Sequence, residues 1–352
     1  MQREEATVME LQLINHRTSN QVIPTSERFA DVEDAEYASV NSVQQEQPSV
    51  RSFVEANTES VTLSHLRDDC VIPTFRDNEK TISHFEMIDA LEFATQQHFG
   101  SIDVLPTQIR VSHPINGRIP SALHKKVAEL EEYEKTRYYE RMIFMIEIPS
   151  ITEVVNGNRL NLTIGGVRAL NHESLFSKKS IEKFKLFVGF KNLVCTNLLV
   201  STDGVALDTR VSSYDDLVKK AIELLAQFSI PKSLHTMQDF VNYKLNEHQF
   251  AQIIGKSRLY QYLPPGQKKD IPALEFNDSQ FNTIVRDYYG DKSFCRDDNG
   301  DINLWRLYGL FTGSNKSSYI DAFLNRSVNA FTFTQGITRA LEGDSPHSWF
   351  LS

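Results

Sequence analysis

The chain has 352 residues, of which 40% are hydrophobic and 24% charged, with a formal net charge of −9 and three cysteines. Such a length and composition suit a soluble globular protein of one large domain or two ordinary ones. They exclude a disulfide-stapled module, because Cys70, Cys195 and Cys295 are odd in number and far apart, and no two of them have zinc-site spacing.

No apolar run approaches the roughly 18 residues that cross a bilayer. The opening MQREEATVME lacks the basic flank and apolar core of a signal peptide. A cytoplasmic location is therefore expected, with no membrane contact, metal or cofactor. The charge is uneven: residues 1–60 hold four basic and eleven acidic side chains, and the remainder is close to neutral.

Residues 1–50 are rich in Glu, Gln, Ser and Asn and read as a disordered acidic tail, with a protein-binding segment as the alternative. Residues 51–212 form the expected α+β domain. Ser83 and Glu86 make a capping box for a helix over 84–99, striped by Ile88, Leu91 and Phe99 and stopped by Gly100. A short strand follows at 109–113, a turn at Asn116-Gly117, and a helix over 121–138 carrying Leu123, Val127 and Leu130.

The densest strand signal lies between Arg141 and Gly204. Met142, Phe144, Ile146 and Ile148 alternate on one face, and Leu160, Leu162 and Ile164 make a second apolar row. Between them Asn156-Gly157 tolerates the positive φ of a tight hairpin turn. Further strands are expected over 184–190 and 194–200, which together predict a central antiparallel sheet. Residues 213–352 read as a mostly helical half, with helices near 215–228, 233–245, 247–263, 279–289, 304–311, 319–324 and 334–341.

The sheet surface opposite the apolar rows would carry Arg141, Arg159, Asn161, Thr163, Lys185, Phe187 and Lys191. Cations that track phosphates beside a ring that stacks on a base are one way to hold single-stranded nucleic acid. An ordinary half-solvated sheet has the same pattern. Two basic stretches add to it: Arg110, Arg118, Lys125 and Lys126 with His113 and His124 in the first, Lys178, Lys179, Lys183, Lys185 and Lys191 in the second. An alternative polar site for a phosphorylated or nucleotide substrate would gather Arg110, His113, Arg118 and Arg168.

Other signals favour structure over chemistry. Gly165-Gly166 lacks the context of a phosphate loop and reads as a turn or bulge. The acidic run at 297–301 lacks the glutamate of a calcium loop. Cys195 shows no neighbouring base and reads as a packed thiol.

Several strings together carry a resemblance: Arg110-Val111-Ser112-His113, Gly117-Arg118-Ile119-Pro120-Ser121-Ala122, Tyr139-Glu140-Arg141-Met142, Thr163-Ile164-Gly165-Gly166-Val167-Arg168, Ser177-Lys178-Lys179-Ser180, Val194-Cys195-Thr196-Asn197 and Asn315-Lys316-Ser317-Ser318-Tyr319-Ile320-Asp321. The chain resembles the uncharacterised domain-of-unknown-function 3871 family, which is carried on plasmids and conjugative elements of gut anaerobes. Residues 194–197 and the Trp305 region are more distantly similar to a phage- and plasmid-like group. The resemblance implies a mobile-element setting and assigns no catalytic residue. A non-enzymatic protein binding single-stranded DNA during transfer or recombination is the leading expectation. The enzyme described above and a protein-binding module directed at a host or rival factor are the alternatives.

Overall fold

The computed structural model describes residues 52–74, 80–173, 181–343 and 346–352; the expected tail lies outside them. In chain order the first elements are β1 (Glu59–Ser60), α1 (Leu63–Asp68), α2 (His84–Phe99), β2 (Gln108–Val111), β3 (Pro114–Arg118) and β4 (Lys135–Tyr139). The long strands β5 (Arg141–Val155), β6 (Asn158–Ala169) and β7 (Glu182–Asn192) follow, then β8 (Leu198–Leu199) and β9 (Val205–Val211). The rest is helical apart from one short strand pair: α3 (Tyr214–Gln227), α4 (Ile230–Asp239), β10 (Lys244–Leu245), α5 (Glu247–Tyr262), α6 (Pro265–Lys268), α7 (Asp278–Gly290), β11 (Ile302–Asn303), α8 (Leu304–Asn315) and α9 (Ile320–Leu341). The fold is α+β.

The main sheet is antiparallel throughout, in the order β1-β2-β5-β6-β7-β8, with β9 also paired to β7. Its centre is the expected hairpin. Asn156 and Gly157 adopt φ of 47° and 77°, the two successive positive values that match the twist of a two-residue loop. Val155 pairs with Asn158, and the register runs, past one irregularity, back to Arg141 opposite Ala169.

One face carries Met142, Phe144, Ile146, Leu160, Leu162, Ile164, Leu186 and Val188, and it joins the core formed with α2 and α3. Helix α2 starts at the expected capping box, with the Ser83 hydroxyl and the Glu86 carboxylate each accepting from the other's backbone N–H. The opposite face carries Ile143, Met145, Val167 and Phe187 and is buried as well. Ile320, Phe323 and Leu324 from α9 close over it, with Phe53 and Val54 beside them.

This two-sided burial corrects the reading of Gly165-Gly166, which lies in the middle of β6 and forms neither turn nor bulge. A side chain at Gly165 would collide with the Phe144 carbonyl and the Phe187 ring, and one at Gly166 with the Met87 methyl. Glycine is needed here so that packed groups can approach the backbone from both sides.

Other expectations also change. In place of a helix over 121–138 there are three 3-10 turns and β4, which pairs with β3 and buries Tyr138 against Ile72 and Leu170. Asn116-Gly117 is mid-strand in β3, where Gly117 lies against Thr136. The strand expected over 194–200 is a turn followed by β8 alone. The helix expected over 233–245 ends at Asp239 and gives way to a 3-10 turn and β10.

The two helices expected over 319–324 and 334–341 are one, α9, which runs through Ser327 and Asn329. Both polar side chains are bonded inside the fold: Ser327 donates to the Phe323 carbonyl at 3.0 Å, and Asn329 donates to the Ala273 carbonyl at 2.8 Å.

A truncation tests the buried second face. Phe187→Ala should destabilise the fold by about 3–5 kcal/mol, as removing a core aromatic ring does, seen as a lower denaturant midpoint. An unchanged midpoint would return the ring to the surface.

Candidate functional site

The residues expected to share the second face do share it, because Arg141 pairs with Ala169, Thr163 with Gly189, Asn161 with Lys191 and Gly165 with Phe187. The expectation of a solvent-facing platform is overturned by its cover. Phe187 is fully buried and cannot stack on a base. Lys191 is buried too, donating to Glu147 at 2.8 Å, while the other oxygen of Glu147 accepts from Asn161 at 2.7 Å. An ammonium and a carboxylate leave water at tolerable cost only when paired in this way.

The polar pocket of Arg110, His113, Arg118 and Arg168 does not form. Arg168 lies on the opposite sheet face from Arg110, since Met142 pairs with Arg168 and Ile143 with Arg110. It is fully buried, donating to Glu182 at 2.8 Å and Thr81 at 3.0 Å, with its guanidinium 4.8 Å from the Phe184 ring centre. Glu173 lies 3.4 Å from the same group; burial pushes its carboxyl above the usual range and Arg168 works against that. Arg110 donates to the Thr58 carbonyl at 2.6 Å, Arg118 donates to the Lys125 carbonyl, and His113 is exposed just past β2. Arg159 is exposed near the hairpin turn. Lys178 and Lys179 lie outside the described residues.

Among the described residues, one end of the second face is left uncovered beside the first turn of α9. There a cleft of about 310 Å³ is lined by Val167, Ala169, His172, Lys183, Phe184, Lys185, Leu207 and Asp208. Lys183 is exposed, and among the described residues it forms no ion pair.

Lys185 is half-buried; its ammonium donates to the Asp321 carbonyl at 2.5 Å and to Asn325 Oδ1 at 2.7 Å. Burial lowers its pKa, and Asp321 raises it in part. The Asp321 carboxylate faces Arg141 Nε at 3.6 Å and His172 Nε2 at 3.8 Å. Asp208 is held in the charged form chiefly by its hydrogen bond from Arg210. Val167 and the partly buried Leu207 belong to the apolar part of the cleft's lining.

The sequence reading had Arg141, Lys183 and Lys185 but missed His172, Asp208, Asp321 and Asn325. Asp321 stood within the string 315–321, yet no spacing rule could tie it to Arg141.

Beside the same helix start, two strings that carried the resemblance meet. Lys316 donates to the Thr196 hydroxyl at 2.9 Å and also to the Cys195 carbonyl. Its own carbonyl accepts from the backbone of Glu55 at 2.8 Å and Ala56 at 3.2 Å. Thr196 has φ of 60°, a left-handed conformation that is strained for a β-branched residue and persists only where surroundings impose it. Asn197 donates to the Gly309 carbonyl at 3.0 Å and to Thr312 at 3.1 Å.

Cys195, Asn197 and Lys316 border a polar cleft of about 280 Å³. Burial pushes the Cys195 thiol up to about 11, which keeps its reactive thiolate form scarce at neutral pH. A larger cleft, about 580 Å³, lies between α2 and the 104–107 loop; it is mainly apolar and holds none of the expected site residues. Among the described residues no helix is long and apolar enough to cross a membrane.

A family model described as "Domain of unknown function, B. Theta Gene description (DUF3871)" matches residues 35–351, so the chain belongs to that family. No curated protein and no solved structure matches the chain.

Two measurements test the Lys316 junction. Lys316→Met should destabilise the protein by about 1.5–3 kcal/mol, the range for hydrogen bonds to a charged group, read from chemical denaturation. The Cys195 thiol should alkylate slowly at pH 8 and speed up only toward pH 11. Its pKa rises from 9.0 to about 11 on folding, so the unfolded chain ionises first and stability should fall as pH climbs above 9. Rapid alkylation of Cys195 at pH 8, followed by peptide mapping, would contradict its burial.

Proposed function

We propose that this member of the DUF3871 family binds single-stranded nucleic acid without acting on it chemically, at the open end of the second sheet face. The observation that carries the reading is the cleft itself, whose lining sets Lys183 and Lys185 beside the apolar Leu207 and Val167. Ammonium groups attract phosphates through release of the strand's counterions. The apolar part of the lining gives a base or sugar a surface to cover, in the role the sequence had suggested for Phe187. The mobile-element setting implied by the resemblance fits a protein that holds strands during transfer or recombination, and this role is part of the proposal.

The test is anisotropy of a labelled single-stranded oligonucleotide across a salt series. Affinity should fall as salt rises, and Lys183→Gln should flatten the slope by about 0.7, the value for one phosphate contact on a single strand. Arg159→Gln, at the far end of the same face, should leave the slope unchanged. Absence of binding at low salt, where screening is weakest, would overturn the reading.

A further inference from the structure

We infer that the cleft takes the end of a strand, gripping its terminal phosphate monoester; this rests on the nucleic-acid reading above and sharpens it. Three observations converge on an end. The first is a wall. A strand laid over Lys183 and heading along the sheet toward Phe187 meets the first turns of α9, where Ile320, Phe323 and Leu324 are packed onto the face. Lys185 is built into that wall, with two of its three donors committed to the Asp321 carbonyl and Asn325. A backbone entering here cannot run on in that direction.

The second is charge. Asp208 lies 2.9 Å from Arg210, and Asp321 faces Arg141 at 3.6 Å. Arg210 offsets Asp208, but Arg141 is shared between Asp321 and Glu140, 3.2 Å away, so Lys183 is the cation left without an ion pair among the described residues. An internal phosphodiester brings a single negative charge, whereas a phosphate monoester carries about −1.5 to −2 near neutral pH. The Lys183 ammonium attracts the monoester more strongly than the diester. His172, exposed at the rim, adds a hydrogen-bond donor for it.

The third is size. At about 310 Å³ the cleft is at the lower limit of small-ligand sites, which span roughly 300–1,000 Å³. It has room for a terminal nucleotide, but a tract of bases would have to lie elsewhere.

The experiment compares four probes with the full chain: a linear oligothymidylate phosphorylated at its 5′ end, the same strand phosphorylated at its 3′ end, the unphosphorylated strand, and a circular single strand with no end. One of the phosphorylated strands should bind at least tenfold more tightly than the unphosphorylated and circular ones. Lys183→Glu and His172→Gln, both at exposed positions, should each shrink that gap without changing the circular dichroism spectrum. Equal binding of linear and circular strands overturns the end-specific inference and leaves the broader function standing. No binding of any strand overturns both. A nucleoside monophosphate competing as well as the phosphorylated strand would make the ligand a free nucleotide and likewise defeat the inference.

Discussion

The attachment of α9 to the sheet decides what this protein exposes, and the Lys316 ammonium holds that attachment at its start. Lys316 bonds the turn after β7 through Thr196 and Cys195, while its carbonyl receives the backbone of Glu55 and Ala56. Three remote segments are thereby fixed at one residue. From there α9 sets off across the second face, placing Ile320, Phe323 and Leu324 on Phe187 and its neighbours. Were that helix displaced, the cationic and aromatic surface expected from the sequence would be open to water. With it in place, among the described residues the middle of that face is covered and the ends, beside Asp321 and at Arg159, are left. Thr196 keeps its left-handed backbone because this junction imposes it.

Charge is handled by the same logic of local pairing. Lys191 with Glu147, and Arg168 with Glu182 and Glu173, are ion pairs taken almost wholly out of water. Such pairs add little net stability compared with a well-packed apolar substitute, but losing one partner leaves a buried charge uncompensated. Arg168 also affects its surroundings: with burial as the larger cause, it helps push the His84 imidazole down to about 3. His84 thus stays neutral and bonds the Tyr139 carbonyl at 2.8 Å, which ties α2 to the end of β4. The fold uses most of its expected binding cations as internal fasteners.

What could be read from sequence was what depends on near neighbours. The hairpin at Asn156-Gly157 and the capping box of Ser83 and Glu86 are local devices, and both were legible. Helix α9 was not legible as one piece, because Ser327 and Asn329 look like surface polar residues until their buried partners, Asn315 and the 273–275 backbone, are brought beside them. Lys183 and Lys191 show the same limit at the candidate site. Both lie on one strand and one face, yet one meets solvent and the other Glu147, a partner 44 residues away. The alternation of side chains is encoded locally; the cover over a face is not. The same reason hid Asp321, which joins Arg141 and His172 only through the docking of α9.

The strand order has a further consequence, for self-association. A sheet rim with free amides and carbonyls can template pairing with another chain unless it is short, charged or irregular. Here β1, at one rim, is only two residues long. At the other, β8 is equally short, and β9 bears Asp208 and Arg210 along a pairing with β7 that is broken by an irregularity between Phe184 and Leu186. Neither rim presents a long, flat, apolar strand to a second molecule. A sheet this rich in β-branched and aromatic residues can thus remain dispersed at concentrations where open rims would invite cross-strand aggregation.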